Sequence, residues 1–169
     1  MKVLLILVLC SALLIPSTTI VAINKKPTPY TQEELECLAK NIYFESRNQP
    51  KKGQYAVAFV TVNRVNDHRF DNSICDVVYA KKRVNNKYIC QFSWVCEGKK
   101  RVRDSKAYQK AMYIAHNVLT SYKDLIDPTG GSLFFHTKQA NPSWKNAFKR
   151  VTTIGDHIFY KPTRSDLNG

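Results

Sequence analysis

Acidic residues are scarce in this chain. Thirteen Asp and Glu stand against 26 Lys and Arg in 169 residues, a formal charge of +13. The imbalance points to anionic partners: nucleic acid, acidic lipid headgroups or the acidic polymers of a cell wall. Charge alone does not choose among them. Metal-binding spacing is also missing. His68, His116, His136 and His157 form no H-E-x-x-H pattern, and no C-x2-C pair accompanies a suitably spaced His. No cofactor or metal is therefore expected. A G-x-S-x-G nucleophile elbow is absent, and so are internal repeats and low-complexity tracts. What is present is 44% apolar and 11% aromatic residues, enough for one packed core and an argument against wholesale disorder.

Met1-Lys2, the apolar run from Val3 to Ile15, a Pro/Ser/Thr break from Pro16 and then Ala22 match a secretory signal peptide. Cleavage after Ala22 is expected. An uncleaved anchor is the alternative, because Ile20-Val21-Ala22-Ile23 prolongs the apolar run. Either form places the protein in the periplasm, cell envelope or extracellular space. Cleavage removes Cys10 and leaves Cys37, Cys75, Cys90 and Cys96. An even count in an exported chain suggests disulfides, and four cysteines allow three connectivities. Pairing Cys90 with Cys96 closes a small loop and leaves Cys37 for Cys75. Such pairing consumes the thiols that a Cys nucleophile would need.

Lys25 to Tyr30, with Pro27 and Pro29, reads as a short extended tether. Thr31-Gln32-Glu33-Glu34 fits a capping box. Leu35, Leu38, Ala39 and Ile42 follow at helical spacing, in a helix that should stop before Pro50. From Gln54 to Val65 the chain is almost continuously apolar, and periodicity there does not separate buried helix from buried strand. Asp104 suits an N-cap for a helix from Ser105 to about Tyr122, with Ala107, Ala111, Ile114, Ala115 and Val118 on one face. Asp127-Pro128-Thr129-Gly130-Gly131 is a turn, and Ser132 to His136 a strand. Val151 to Ile154 and His157 to Tyr160 flank Gly155-Asp156 as a two-residue hairpin loop. Helices first and strands last predict an α+β fold. The basic runs Lys81-Lys82-Arg83 and Lys99 to Arg103 read as solvated loops, and no nucleic-acid partner is expected.

Glu45 stands out before any family comparison. It is the only acid between Glu36 and Asp67, seven residues after Leu38 and three after Ile42, on the apolar face of the first helix. A carboxyl held in an apolar cleft has its pKa raised, which suits a general acid at neutral pH. The alternatives are a buried salt bridge to Arg47 or Arg64, or a helix that has frayed by position 45.

The segment Cys37-Leu38-Ala39-Lys40-Asn41-Ile42-Tyr43-Phe44-Glu45-Ser46-Arg47 resembles the opening motif of the SleB/CwlJ-type cell-wall hydrolases, usually A-x-x-I-Y-x-E-A-R-G-E. The similarity continues through Gly53 to Ala58, Val62-Asn63-Arg64-Val65, Arg69-Phe70, Ser73 to Tyr79, Cys90-Gln91-Phe92-Ser93, Asp127 to Gly131 and Ile154 to Tyr160. It covers roughly residues 34–161. The resemblance implies a lysozyme-like domain, related to goose-type lysozymes and lytic transglycosylases, that cuts the MurNAc–GlcNAc bond of peptidoglycan. The family's catalytic glutamate falls on Glu45. Ser46 replaces the usual Ala, and Asn48-Gln49 replaces Gly-Glu, so a second nearby carboxylate is absent there.

Ordinary glycosidases use two carboxylates. One convincing carboxyl, with Asp67, Asp71 and Asp76 uncommitted by their spacing, suits a lytic transglycosylase. Glu45 would then act as acid and base in turn, with the muramoyl C6 hydroxyl as internal nucleophile. Candidate substrate contacts are Gln91, Ser93, Asn63, His136, His157 and Tyr160. Each has a structural alternative: helix capping for Asn63 and Ser93, the hairpin flank for His157, core closure for Tyr160. The expected organisation is a leader over 1–22, a tether over 23–30, the catalytic domain over 31–162 and a tail over 163–169. The partner is peptidoglycan, approached as a monomer with help from long-range attraction to an anionic envelope. The physiological task, whether wall remodelling, cortex degradation or endolysin-type lysis, is open. An N-acetylmuramoyl-L-alanine amidase and a non-enzymatic wall-binding protein are the rival functions.

Overall fold

The computed structural model describes residues 29–98 and 101–163. The expected leader, most of the tether and nearly all of the tail lie outside the described residues. The capping box forms as expected: Thr31 Oγ1 accepts the Glu34 N–H (3.1 Å), and Glu34 Oε2 accepts the Thr31 N–H (2.9 Å). It opens α1 (Gln32–Ser46), which buries Leu35, Leu38, Ala39 and Ile42. The ambiguous apolar run is a helix, α2 (Lys51–Val65), with every residue from Ala56 to Arg64 buried. Packing against α1, short α3 (Ile74–Tyr79), the helix Ser105–Ser121 and a late strand covers it on several sides, which is why no amphipathic period shows in the sequence. After short α4 (Ser93–Cys96), α5 (Ser105–Ser121) starts at Asp104, whose carboxylate accepts the Ala107 N–H at 2.9 Å. Its face of Ala111, Ile114, Ala115 and Val118 is buried, chiefly on α1.

A buried polar chain ties three helices together. Trp94 Nε1 donates to Asn41 Oδ1 (3.0 Å), Asn41 Nδ2 donates to Thr61 Oγ1 (3.0 Å), and Thr61 Oγ1 donates to the Val57 carbonyl (3.1 Å). Each group finds a partner, so burial carries no desolvation penalty left open. The disulfides are Cys37–Cys75, joining α1 to α3, and Cys90–Cys96.

Strands β3 (Phe134–Thr137), β4 (Lys149–Ile154) and β5 (His157–Lys161) make an antiparallel sheet in the order β3-β5-β4. The Gly155-Asp156 loop joins β4 to β5, with Ile154 opposite His157 and Gly155 at φ +59°. β3 begins two residues later than expected, because Ser132 is held back by the turn: its N–H and hydroxyl both bond Thr129 (3.3 and 2.7 Å). The helices-first, strands-last α+β arrangement holds with one addition. Lys81-Lys82-Arg83 is not a loop but part of β1 (Lys81–Val84), paired with β2 (Lys87–Cys90) across Asn85-Asn86. Both asparagines take positive φ (46° and 62°), the primed turn that matches strand twist.

Candidate active site

Glu45 sits in the last turn of α1, half-buried, on the side of Leu38 and Ile42. The turn has not frayed. Ser46 Oγ donates to the Ile42 carbonyl (2.8 Å), the Arg47 N–H donates to the Tyr43 carbonyl (3.2 Å), and the Tyr43 hydroxyl accepts the N–H groups of Arg103 and Asp104 (3.2 and 3.1 Å). Of the two arginines weighed as its partner, Arg47 is exposed and lies 5.0 Å from the Tyr43 ring centre. Arg64 on α2 is the buried one. Burial pushes its guanidinium down to about 10, opposed by the negative charge of Glu45, so it remains a cation at neutral pH. The rings of Phe92, Phe70 and Phe134 surround that cation at 5.0, 5.4 and 5.9 Å. Its Nε donates to the Leu133 carbonyl (2.7 Å), while Nη1 makes no hydrogen bond.

From this box an aromatic surface continues outward. Phe134 stacks on Phe148 (4.2 Å, 7°) and meets Trp144 at 5.9 Å. Trp144, from the 3-10 turn Ser143–Ala147, stands edge-on to His136 (5.6 Å) and Tyr160 (5.7 Å). His136 and Tyr160 stack at 5.3 Å, and His136 Nε2 pairs with the Tyr160 hydroxyl at 3.0 Å. Two of the sequence candidates therefore share one face of the β3–β5 pair. His157 points to the opposite face, edge-on to Phe135 at 5.1 Å, and is 2% exposed. Burial pushes its pKa below the ordinary histidine value.

Gln91 and Ser93 are exposed on either side of buried Phe92, the residue whose ring lies over Arg64. Asn63 is occupied internally. Its Nδ2 donates to Asp127 Oδ2 and the Ser132 carbonyl (both 3.0 Å), and its Oδ1 accepts the Tyr122 hydroxyl (2.5 Å). Nearby aspartates have similar tasks. Arg69 holds the Asp67 carboxyl below the usual carboxylate range, through bonds of 2.8 and 2.6 Å. Asp76 accepts the Ser73 hydroxyl (2.6 Å), and Asp127 accepts two backbone N–H groups from its own turn (2.7 and 2.8 Å). Among the described residues no three His, Cys, Asp or Glu gather as a metal-ligand set.

Gln49, where the related motif carries Glu, is 8% exposed and serves as a latch. Its Nε2 donates to Asp156 Oδ2 (3.0 Å) and its Oε1 accepts the Asp156 N–H (2.9 Å), fastening the β4–β5 loop to the α1–α2 connection. A Cβ on Gly155 would lie 2.3 Å from Gln49 Oε1 and would displace that amide from the Asp156 N–H, and the φ of +59° itself favours glycine.

The profile of the cell wall hydrolase family matches residues 48–160. The chain belongs to that family. Among related cell wall hydrolases, the spore cortex-lytic enzyme of Bacillus cereus is 31% identical over 136 residues, 80% of this chain and 47% of that one. The spore cortex-lytic enzyme of Bacillus subtilis is 27% identical over 134 residues, 79% of this chain and 39% of that one. The chain thus spans about half or less of the length of these curated relatives. The crystal structure of the catalytic domain of the Bacillus cereus SleB protein superposes with a TM-score of 0.61 at 30% identity, covering 80% of this chain and 94% of that one. The catalytic domain of the germination-specific lytic transglycosylase SleB from Bacillus anthracis gives a TM-score of 0.61 at 31% identity and is covered in full (80% of this chain, 100% of that one). The lysozyme-like α+β expectation agrees with this shared fold. The family match begins at residue 48, three residues past Glu45.

Sequence reasoning missed Phe70, Phe134 and Trp144, and weighed Arg64 only as a salt-bridge partner. For Arg64 a signal existed: a charged residue at the end of the run Tyr55 to Val62. For Trp144 none did, since its contacts to His136 and Tyr160 arise only when β3 and β5 pair.

Proposed function

We propose that this chain cleaves the MurNAc–GlcNAc bond of peptidoglycan as a lytic transglycosylase, with Glu45 as its single acid and base. The observation that carries the reading is a half-buried carboxyl whose charge acts on a buried cation, Arg64, itself enclosed by three aromatic rings. Glu45 gives its proton to the glycosidic oxygen as the bond to C1 breaks, and the GlcNAc hydroxyl leaves. Arg64 steadies the carboxylate left behind. The muramoyl C6 hydroxyl then attacks C1 and returns its proton to Glu45, closing a 1,6-anhydro ring without water. The hydrogen-bonded duties of Asp67, Asp76 and Asp127 support one-carboxyl chemistry and leave exposed Asp71 as the carboxylate that a hydrolytic product would point to. Gln91 and Ser93 are placed to bond sugar hydroxyls and acetamido groups, and Trp144 with Tyr160 offers flat faces to sugar rings. In this reading Asn63 and His157 position the turn and the sheet.

The same proposal takes the protein as exported and acting as a monomer, with the excess of Lys and Arg drawing it to an anionic envelope. The test is mass spectrometry of muropeptides released from purified peptidoglycan, with Glu45→Gln beside the unaltered protein. Products ending in 1,6-anhydro-MurNAc, lost at least a thousandfold in the variant, are expected for removal of the only acid and base (on the order of 10²–10⁴ for each role). Reducing MurNAc ends mean hydrolysis with a second carboxylate. Freed stem peptides on intact glycan mean an amidase, and full retention of activity by Glu45→Gln removes the acid role.

A further inference from the structure

The β1–β2 hairpin buries almost nothing. Every residue from Lys81 to Ile89 is exposed, with Tyr88 at 59% and Ile89 at 58%. An isolated two-stranded ribbon is marginal in water, yet this one is stapled at its base by Cys90–Cys96. A surface ribbon maintained by a covalent bond, with no core to serve, calls for an external role. Its sequence carries Lys81, Lys82, Arg83 and Lys87 without one acid. Among the described residues none of these cations has an acidic partner at salt-bridge distance. Between the ribbon and the loop of residues 68–71 lies a groove of about 660 Å³. The side chains of Lys82, Val84 and Ile89 share the ribbon face on one wall, while the Lys81 ammonium lies over the Tyr88 ring (5.0 Å) on the other face; Arg69, Phe70 and Asp71 stand on the opposite wall. Phe70 also faces Arg64 at 5.4 Å, and Gln91 in the groove lining precedes Phe92, so the groove lies next to the aromatic box around Arg64.

We propose that this groove is a subsite for the peptide stem of the glycan substrate. Lys82 pairs with a stem carboxylate, while Val84, Ile89 and Phe70 receive its alanyl methyl groups. The inference rests on the peptidoglycan reading and extends it. The half-apolar wall selects a peptide over a phosphate polymer, which would leave Val84 and Ile89 against water. Adjacency supplies the rest: the lactyl group that bears the stem belongs to the muramoyl sugar at the scissile bond.

The experiment measures cleavage rates of the unaltered protein and of the Lys82→Gln variant on three walls. One carries stems and phosphate polymers, one carries stems with the phosphate polymers removed, and one is glycan stripped of stems by an amidase. The expected result is that the ratio of stem-bearing to stripped rates falls about threefold in the variant, as for one exposed charge contact. The fall should be equal with and without phosphate polymers, and Lys82→Arg should restore the ratio. An unchanged ratio overturns the subsite while leaving glycan cleavage intact. A loss seen only on phosphate-bearing walls overturns it in favour of polymer binding. If the unaltered protein cuts none of the three, the peptidoglycan reading falls and the subsite with it.

Discussion

Replacing Gln49 by Glu restores the residue usual in the related motif, and the geometry makes it harmful here. Gln49 Nε2 donates to Asp156 Oδ2 at 3.0 Å while Oε1 accepts the Asp156 N–H at 2.9 Å. Gln49→Glu keeps the second bond and turns the first into two carboxylate oxygens face to face. With both ionised, the variant loses a charge-assisted bond of about 1.5–3 kcal/mol and gains repulsion of up to roughly 4 kcal/mol at close range. Taking up a proton avoids both, since a carboxyl O–H can donate where the amide did. Holding a proton at pH 7 on a group with an ordinary pKa near 4.3 costs about 3.7 kcal/mol, at 1.36 per unit. That figure caps the loss. Asp156 is exposed, and solvent screening trims the repulsion, so a destabilisation of about 2–4 kcal/mol at pH 7 is expected. The sign with pH follows. The folded variant binds a proton that the unfolded chain does not, so its deficit shrinks by up to about 1.4 kcal/mol per unit as pH falls toward 4.5. Urea unfolding of the unaltered protein, Gln49→Glu and Gln49→Ala at pH 7 and pH 5 separates the terms, because the alanine variant loses the bond without the charge and keeps a constant deficit. A Gln49→Glu protein as stable as the original at pH 7, or one whose deficit does not shrink on acidification, would refute the latch.

Three further outcomes are expected. His157 is buried with its pKa pushed down, so the unfolded chain takes up its proton first: its contribution is intact above about pH 6.5 and erodes by at most about 1.4 kcal/mol per unit below. The stability difference between the unaltered protein and His157→Gln, read by urea unfolding, should therefore narrow from pH 7.5 to pH 5.5, and a constant difference would refute this. Trp144→Ala should raise KM several-fold on solubilised glycan while sparing thermal stability by comparison with Phe159→Ala, because Trp144 is half-buried and Phe159 fully buried. Asn41→Leu leaves Trp94 Nε1 without its acceptor and Thr61 without its donor, so about 2–4 kcal/mol of stability should be lost in denaturant titrations.

What could be read from the amino acids was what is local. Thr31 and Glu34 lie three residues apart and announce the start of α1 without help from the rest of the chain, and Asp104 does the same for α5. Glu45 was legible because helical phase carries Leu38 and Ile42 to the same side. The run from Gln54 to Val65 gave no period because α2 is covered on several sides. The β1–β2 ribbon was missed for the opposite reason: with all residues from Lys81 to Ile89 exposed, no alternation of apolar and polar positions records its strands, and Asn85-Asn86 lacks the glycine that usually marks such a turn. Contacts between distant segments were beyond reach. Gln49 and Asp156 are 107 residues apart, and nothing in either neighbourhood names the other.

Helix α1 behaves as a ruler with several fixed marks. It is pinned at Thr31 by its cap, at Cys37 by a disulfide, at Asn41 by the buried polar chain and at Tyr43 by the hydroxyl that receives the start of α5. Glu45 is read off the far end. Deleting Phe44, between Tyr43 and Glu45, would swing the carboxylate by about 100° around the helix axis while every mark before it stayed in place. The protein would fold, hold its disulfides and carry its acid on the wrong side. Substitutions along this helix can accumulate wherever they respect volume, whereas changes in its length cannot, so relatives should differ here in letters and never in count.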